Sequence, residues 1–113
     1  MKLVIAYIQP QALHDVKTAL TEVGVGRMSV VNAQGAGQQG GYTETYRGAE
    51  FEVLLRKKVR LEIAVNDDFL GRTREAIIKG ARTGNFGDGV IFVVELAECY
   101  RIRTGESGGP AVG

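Results

Sequence analysis

Two short segments in the second half of the chain carry residue types that could bind a phosphate group. The segment TGNFGDG, residues 83–89, has glycines at positions 84, 87 and 89. Glycine lets the backbone turn successive N–H groups toward one point, and such a nest binds an anion without a side-chain charge. A glycine-rich turn that closes a helix is an equally good interpretation of this segment by itself.

A pair of arginines changes that balance. Arg101 and Arg103 are two residues apart, so on a strand their side chains would project to the same side. The planar guanidinium group suits bidentate contact with phosphate. A basic edge that faces water is the alternative interpretation. With the glycine-rich segment in the same chain, we favour a phosphate-containing ligand.

Other chemistries have weaker support. His14 and Cys99 lack the spacing of zinc ligands, and a single histidine without a neighbouring nucleophile disfavours a hydrolytic triad. The lone cysteine excludes an internal disulfide and fits a reducing compartment. The apolar run at the N-terminus is too short for a signal peptide or a membrane span, so we expect a cytoplasmic protein without membrane insertion. The net charge of +1 gives no reason to expect nucleic acid as a partner.

The hydrophobic pattern predicts one domain, residues 1–113, with four main strands at residues 2–9, 27–34, 59–65 and 90–96. Two helices lie between them. The first opens at Pro10 and closes at Gly24, and the second is capped by Asp67 or Asp68 and closes at Gly84. This order, with both helices on one face, predicts the α+β ferredoxin-like split βαβ fold (βαββαβ).

Three further features complete the sequence-based picture. Residues 35–53, GAGQQGGYTETYRGAEFEV, predict a long mobile arm (35–55 with its flanks) that reaches for a partner. Alternation over residues 100–104 predicts a short extra strand, and residues 107–113 are predicted to be disordered. The sheet face without helices is apolar, which predicts an oligomer.

Three motifs resemble those of the PII signal transduction family. They are YRGAEF at residues 46–51, TGNFGDGVIFVVEL at residues 83–96 and RIRTGE at residues 101–106, and the similarity extends from Met1 to about Glu106. The resemblance implies a regulatory protein that is not an enzyme. It implies a homotrimer whose long loop, the T-loop, docks onto transporters or metabolic enzymes. It also implies clefts between subunits that bind ATP or ADP in competition, joined in many members by Mg²⁺ and 2-oxoglutarate.

The resemblance also implies which residues bind these ligands. The adenylate pocket would consist of Ser29, Glu62, the backbone at Ala64, and the glycines Gly35 and Gly37 at the base of the loop. The phosphates would contact Gly87, Asp88, Gly89, Arg101 and Arg103. Gln39 would ligate Mg²⁺, and Lys58 would pair with a carboxylate of 2-oxoglutarate.

Four positions depart from the family's pattern. Val90 stands where the family has a lysine that faces the phosphates. Gln38, which stays a candidate binding residue, stands where many members have an arginine. A charge-assisted hydrogen bond is worth roughly 1.5–3 kcal/mol, so the loss of these cations predicts about tenfold or more weaker binding or a shift away from the triphosphate. Phe51 and Ala49 replace a tyrosine and a serine that are modified in other members, so we expect neither covalent switch.

Alternative hypotheses stay open at this point. The chain could be a PII paralogue with another ligand preference, such as ADP, AMP or a different metabolite, that serves another membrane transporter. An RNA-recognition domain shares the element order, but the strand KKVRLEIAV lacks the aromatic residues that stack on bases. A slow ATPase would use the same cleft, but neither a general base nor a Walker-type lysine is evident.

Overall fold

The computed structural model describes the backbone of residues 1–36, 43–46, 49–52 and 55–113, and the side chains of residues 1–36 and 55–113. Its strands are β1 (Lys2–Ile8), β2 (Ser29–Gly35), β3 (Thr43–Tyr46), β4 (Ala49–Glu52), β5 (Arg56–Val65) and β6 (Gly89–Glu95). Its helices are α1 (Leu13–Glu22), which follows a 3₁₀ turn at Pro10–Ala12, α2 (Asp67–Ala81) and the short α3 (Gly109–Val112).

Four of the strands form one sheet in the order β2-β5-β1-β6. All three pairings are antiparallel, and β1 lies between β5 and β6, so that Ile5 is opposite both Glu62 and Phe92. This is the strand order of the ferredoxin-like split βαβ fold, with α1 and α2 as its crossover helices. The predicted fold class is therefore confirmed.

The core lies between the sheet and the two long helices. Side chains on a strand alternate between faces, and the odd-numbered residues of β5 point into the core together with the even-numbered residues of β1. The buried strand residues are Val4, Ala6, Ile8, Val59, Leu61, Ile63 and Val65. The helices contribute Val16, Ala19, Leu20, Ala76, Ile77 and Ala81. The helices cross closely at Gly80, where a Cβ atom would lie 2.6 Å from the Cα atom of Val16.

The helix ends differ in how well the sequence predicted them. After α1, Gly24 has φ of 84° and donates to the Thr21 carbonyl, while Val25 donates to the Leu20 carbonyl. These bonds form a Schellman motif, with glycine at the position that needs a left-handed backbone. At α2 the prediction of an aspartate cap is wrong, because Asn66 is the N-cap and makes no side-chain cap bond. Asp67 instead accepts a bond of 2.8 Å from the N-terminal amine of Met1.

The opposite face of the sheet is apolar and uncovered by α1 or α2, as predicted. It presents Leu3, Ile5, Tyr7, Val31, Phe92 and Val94, with Arg60 and Glu62 among them. Phe92 is 51% exposed and its ring meets the ring of Tyr7 edge-on at 6.4 Å. A contiguous apolar surface of this kind typically marks an interface.

Two segments differ from the sequence-based prediction. The polar arm contains an antiparallel pair, β3 and β4, in the register Thr43↔Glu52 to Tyr46↔Ala49. The extra strand predicted over residues 100–104 is wrong, because Tyr100 makes only an isolated bridge to Ser107 and the chain reverses between them. Gly105, with φ of 73°, donates to the Arg101 carbonyl at 2.8 Å and makes this reversal possible.

The end of the chain also differs from the expectation of disorder. Residues 109–112 form α3, which packs near the junction of β5 and α2, since the side-chain amide of Asn66 donates to the Gly109 carbonyl at 3.2 Å. No helix among the described residues is long and apolar enough to cross a bilayer.

Candidate nucleotide site

The segment of residues 83–89, here called the glycine loop, is organised by Asp88. Its carboxylate accepts hydrogen bonds from the backbone N–H groups of Thr83 at 2.7 Å and Gly84 at 2.9 Å, and from the Thr83 hydroxyl. The bonds from Thr83 and Gly84 lower the pKa of the Asp88 carboxyl, because they favour its charged form. Asp88 was expected to contact phosphates, and in this structure its carboxylate binds Thr83 and Gly84 at the start of the loop.

The glycines of the loop meet two separate requirements. Gly84 and Gly87 have φ of 88° and 91°, which side-chain-bearing residues rarely adopt. Gly89 has φ of 118°, and a Cβ atom there would lie 1.8 Å from the carbonyl oxygen of Tyr7. Any side chain at position 89 would therefore force β6 away from β1.

The loop leaves some backbone donors free for a ligand. Of its N–H groups, those of Thr83 and Gly84 are bonded to Asp88, and that of Asn85 donates to the Thr83 hydroxyl at 3.2 Å. Among the described residues, the N–H groups of Phe86, Gly87 and Asp88 donate to no acceptor. The group of donors that could meet a phosphate therefore lies in the second half of the loop.

Lys58 connects this loop to the base of the arm. Its side chain is only 7% exposed, and its Nζ donates to the Gly87 carbonyl at 2.8 Å. Burial, followed by the neighbouring Arg56, lowers the pKa of Lys58, and Asp88 partly opposes that shift. A Cβ atom on Gly35, the last residue of β2, would lie 3.5 Å from the Lys58 side chain. Lys58 thus touches both the glycine loop and the strand from which the arm leaves.

The residues expected to hold the adenylate lie further along the sheet. Ser29 and Glu62 are directly opposite each other on β2 and β5, and Ala64 follows on the same face as Glu62. The Glu62 carboxylate is 3.5 Å from the Arg60 guanidinium, which also donates to the Tyr7 hydroxyl at 3.1 Å. Ala64 lines a cavity of about 320 Å³ that also contacts Asn66, Phe69 and Val112.

The two arginines do not share the arrangement that their spacing predicted. They lie in the turn after Tyr100, not side by side on a strand. The Arg101 side chain is 28% exposed, lies 3.5 Å from the Glu106 carboxylate, and donates to the Pro110 carbonyl at 3.3 Å. Its buried Nε atom has no hydrogen-bond partner among the described residues. Arg103, two residues further on, is exposed.

Within the single chain, these two groups of residues lie apart. The glycine loop precedes β6, and the turn that carries Arg101 follows it. The six residue steps from Gly89 to Glu95 make the strand about 20 Å long. Along β5, Lys58 and Glu62 are four residues apart, or about 13 Å. The two groups of residues that could bind phosphate are the glycine loop and the Arg101 turn, here called the phosphate-type groups. They therefore lie at opposite ends of one sheet.

Several expected residues lie outside this geometry. Gly37, Gln38 and Gln39 lie outside the described residues, as do the side chains of Ala49 and Phe51. Val90 lies opposite Tyr7 on the uncovered face of the sheet. Among the described side chains, His, Cys, Asp and Glu form no cluster that could hold a metal ion.

Sequence analysis did not identify the contacts that hold these segments in place. Thr83 and Asp88 flank the glycines, and threonine and aspartate that bond to nearby N–H groups are a recognisable turn signal. Asn66 gave no such signal, because it reaches the Gly109 carbonyl 43 positions away, and Pro110 gave none because it offers only a backbone carbonyl to Arg101.

Comparison with known proteins agrees with these motifs. The family model for nitrogen regulatory protein P-II matches residues 1–106. The nitrogen regulatory protein P-II of Azospirillum brasilense is 48% identical over 112 residues, which cover 99% of this chain and 100% of the relative. The P-II 1 protein of Escherichia coli (strain K12) is 47% identical with the same coverage. The P-II 2 protein of Methanothermobacter thermautotrophicus is 46% identical, over 99% of this chain and 97% of the relative.

These matches span the motifs, the arm and every strand of the sheet, and the observed strand order is the one that the motifs implied. The resemblance stated from the sequence is therefore confirmed, and the chain belongs to the nitrogen regulatory protein P-II family of signalling proteins.

Proposed function

We propose that this protein is a nucleotide-sensing regulator that binds ATP or ADP between the protomers of a homotrimer. The arm, residues 35–53, would carry the bound state to a membrane transporter or a metabolic enzyme. The observation that carries this proposal is the separation of the two phosphate-type groups. The phosphate groups of one nucleotide cannot contact both the glycine loop and the Arg101 turn of the same chain, because β6, which is about 20 Å long, runs between them.

A second protomer removes this difficulty. If the glycine-loop end of one protomer meets the Arg101 end of its neighbour, the free N–H groups and the guanidinium face the same phosphates. Such a contact joins unlike surfaces, and unlike surfaces close into a ring when the rotation allows it. A three-membered ring would hold three equivalent clefts. The uncovered apolar face of Ile5, Tyr7 and Phe92 supplies the burial that holds such a ring together.

The remaining residues of the site divide according to their chemistry. Ser29, Glu62 and the backbone at Ala64 would recognise the adenine end, because they supply hydroxyl, carboxylate and peptide groups on one strand pair. The free N–H groups of Gly87 and Asp88, with Arg101 and Arg103, would take the phosphates. The glycines Gly35 and Gly37, with Gln38, would contact the ligand at the base of the arm.

Lys58 fits the binding of a carboxylate such as that of 2-oxoglutarate. A buried ammonium group with one hydrogen bond retains donors for another acceptor, and a carboxylate would favour its charged form. Mg²⁺ would bind through Gln39 and the phosphates. Since Lys58 touches both Gly87 and Gly35, ligand contact here would act on the loop and the arm together, which is the differential interaction that a switch requires.

An altered ligand preference is the second candidate, and Val90 motivates it. The valine lies next to the glycine loop and places an uncharged side chain beside the expected phosphates. Together with Gln38, it removes positive charge that would favour a triphosphate over ADP or AMP. With Phe51 in place of a tyrosine, we expect regulation by ligand occupancy alone, in the cytoplasm and without covalent modification.

Titration calorimetry tests both candidates. The purified protein is titrated with ATP, ADP and AMP, each with and without Mg²⁺ and 2-oxoglutarate, and Arg101→Ala is the matched variant. We expect heat for at least one nucleotide and about tenfold weaker binding in the variant, the order expected for a lost charge-assisted bond. A protein that gives no heat with any nucleotide would rule the sensor out. Measuring phosphate release from ATP at the same time separates sensing from a slow ATPase.

A further inference from the structure

The last residues of the chain contact the expected ligand site. Residues 108–113, here called the C-terminal strap, begin where the Gly108 N–H donates to the Cys99 carbonyl at 2.9 Å. The strap then crosses to the junction of β5 and α2, where Asn66 donates to the Gly109 carbonyl at 3.2 Å. At its far end, a Cβ atom on Gly113 would lie 3.3 Å from the guanidinium of Arg27. Two hydrogen bonds therefore hold the start of the strap, and its last residue lies close to Arg27.

The strap accepts a hydrogen bond from Arg101, one of the two arginines that are expected to bind phosphate. Arg101 donates to the Pro110 carbonyl at 3.3 Å, and its Nε faces the Glu106 carboxylate at 3.5 Å. A carbonyl and a carboxylate thus already lie beside the Arg101 guanidinium. Phosphate is the stronger acceptor for a guanidinium because both groups are charged and the contact is bidentate.

The strap also covers the adenine end of the site. Val112 and Gly113 line the cavity of about 320 Å³ together with Ala64, the residue whose backbone is expected to meet the adenylate. The same short segment therefore touches both the phosphate-type arginine and the neighbourhood of the base.

We propose that the C-terminal strap is a built-in competitor for Arg101, held in place while the site is empty and released when a nucleotide phosphate takes the guanidinium. This inference rests on the proposed nucleotide site and adds to it a regulatory element. Binding of a phosphate breaks the Arg101–Pro110 bond, so the strap lowers phosphate affinity by the free energy of that contact. Removing the strap raises the affinity for ligands that carry phosphate more than the affinity for adenosine.

The experiment compares the full chain with a variant that lacks residues 108–113, using ATP, ADP and adenosine as probes in calorimetry. We expect about three- to tenfold tighter binding of ATP and ADP to the shortened chain, the range for one hydrogen bond of ordinary strength. Adenosine, which has no phosphate to compete for Arg101, should gain less. Because a deletion could disturb folding, Asn66→Ala is measured in parallel, since it frees the strap without removing it. It should change phosphate affinity in the same direction by a smaller factor, while Asn32→Ala, an exposed asparagine on β2, has no effect.

Strap release has its own readout. The N–H group of Gly108 donates to the carbonyl of Cys99, which lies outside the strap, so hydrogen exchange at this amide reports on the closed strap. We expect faster exchange with saturating ADP and a smaller change with adenosine.

Three results would overturn the inference. They are unchanged or weaker nucleotide binding in both strap variants, an equal gain for adenosine, and exchange that is unaffected by ADP. A full chain that binds no nucleotide in any form would instead refute the proposed function, so the two failures are distinguishable.

Discussion

The two ends of the sheet are built in different ways. At the glycine-loop end, most bonds that shape the loop join residues at most five apart, such as Thr83 and Asp88, and Lys58 adds one long-range bond to Gly87. At the C-terminal end, the strap is held by Asn66, 43 positions away from the Gly109 carbonyl that it binds. The first end is mainly a local structure. The second depends more on contacts between segments that are distant in the chain.

This difference suggests a division of labour within one composite site. A locally determined loop presents its N–H groups in a fixed arrangement, which keeps the entropy cost of phosphate binding low. A segment that is held by a few long-range bonds can open and close with small changes in free energy. The rigid end would therefore provide affinity, and the displaceable end would report occupancy.

Substituting glycine at each end gives the largest expected contrast. Gly89→Ala should destabilise the fold by about 2–4 kcal/mol, because the new Cβ atom would collide with the Tyr7 carbonyl and separate β1 from β6. Gly105→Ala is the matched control, since its φ is 73° but nothing lies within 4 Å of the added atom. It should cost about 1 kcal/mol, the strain of a left-handed residue alone. Urea unfolding measures both values, and equal losses would contradict the contrast.

Mixing variants tests whether the two ends meet across protomers. Asp88→Ala disables the glycine-loop end and Arg101→Ala the other, so each alone should bind ATP weakly. Random co-assembly should restore about one quarter of the sites to full affinity, because only a junction that joins the two intact ends is complete. Calorimetry counts these sites after the variants are unfolded and refolded together.

A same-end mixture is the control for this experiment. Asp88→Ala mixed with Thr83→Ala leaves every junction with a damaged glycine loop, so no sites should recover. If the mixture of opposite-end variants also recovers none, the ends do not combine in one site.

A gain of function at the glycine-loop end gives an intermediate effect. Val90→Lys places a cation next to the loop, where the valine is 47% exposed and therefore has room for a longer side chain. ATP binding should tighten about tenfold, the value of one charge-assisted hydrogen bond, with a smaller gain for AMP. Val30→Lys, on β2 and similarly exposed, is the control. Equal tightening in both variants would mean that net charge alone is responsible.

Acid provides the mildest test, and it acts on the glycine-loop end through Asp88. Hydrogen bonds lower the pKa of Asp88 below its ordinary value of 3.8. The pKa of Asp88 is lower in the folded state than in the unfolded state. The carboxylate therefore contributes fully to the stability of the fold above pH 3.8, and this contribution is lost as the pH falls through the folded pKa. The Gly84 amide signal should therefore titrate below pH 3.8. Asp88→Asn should abolish the Gly84 titration, and persistence of it would assign the transition to another group.

Local patterns predicted most of the fold and part of the site. The alternation of Val59, Leu61 and Ile63 with polar residues identified β5, because a strand with one buried face needs that period. The helices were found from their end signals, although the cap of α2 was misassigned to aspartate. Asp67 instead accepts a hydrogen bond from the N-terminal amine, which is 66 residues away in the sequence.

The same local patterns failed in the C-terminal segment. Alternation over residues 100–104 suggested a strand, but a strand needs a neighbour to pair with, and Gly105 reverses the chain before one is found. The role assigned to Asp88 was also incomplete, because a carboxylate beside glycines fits both ligand contact and loop capping. Only the bonds to Thr83 and Gly84 distinguish these two roles.

The sequence by itself determined the family, the ferredoxin-like sheet and the presence of a glycine-rich segment before β6, since these follow from motifs, periodicity and residue types along the chain. Tertiary structure decided that Lys58 reaches Gly87, that the strap reaches Arg101, and that the two phosphate-type groups lie at opposite ends of β6. These features arise because the folded sheet sets distances between residues that are far apart in the chain, and no local pattern of residue types encodes such distances.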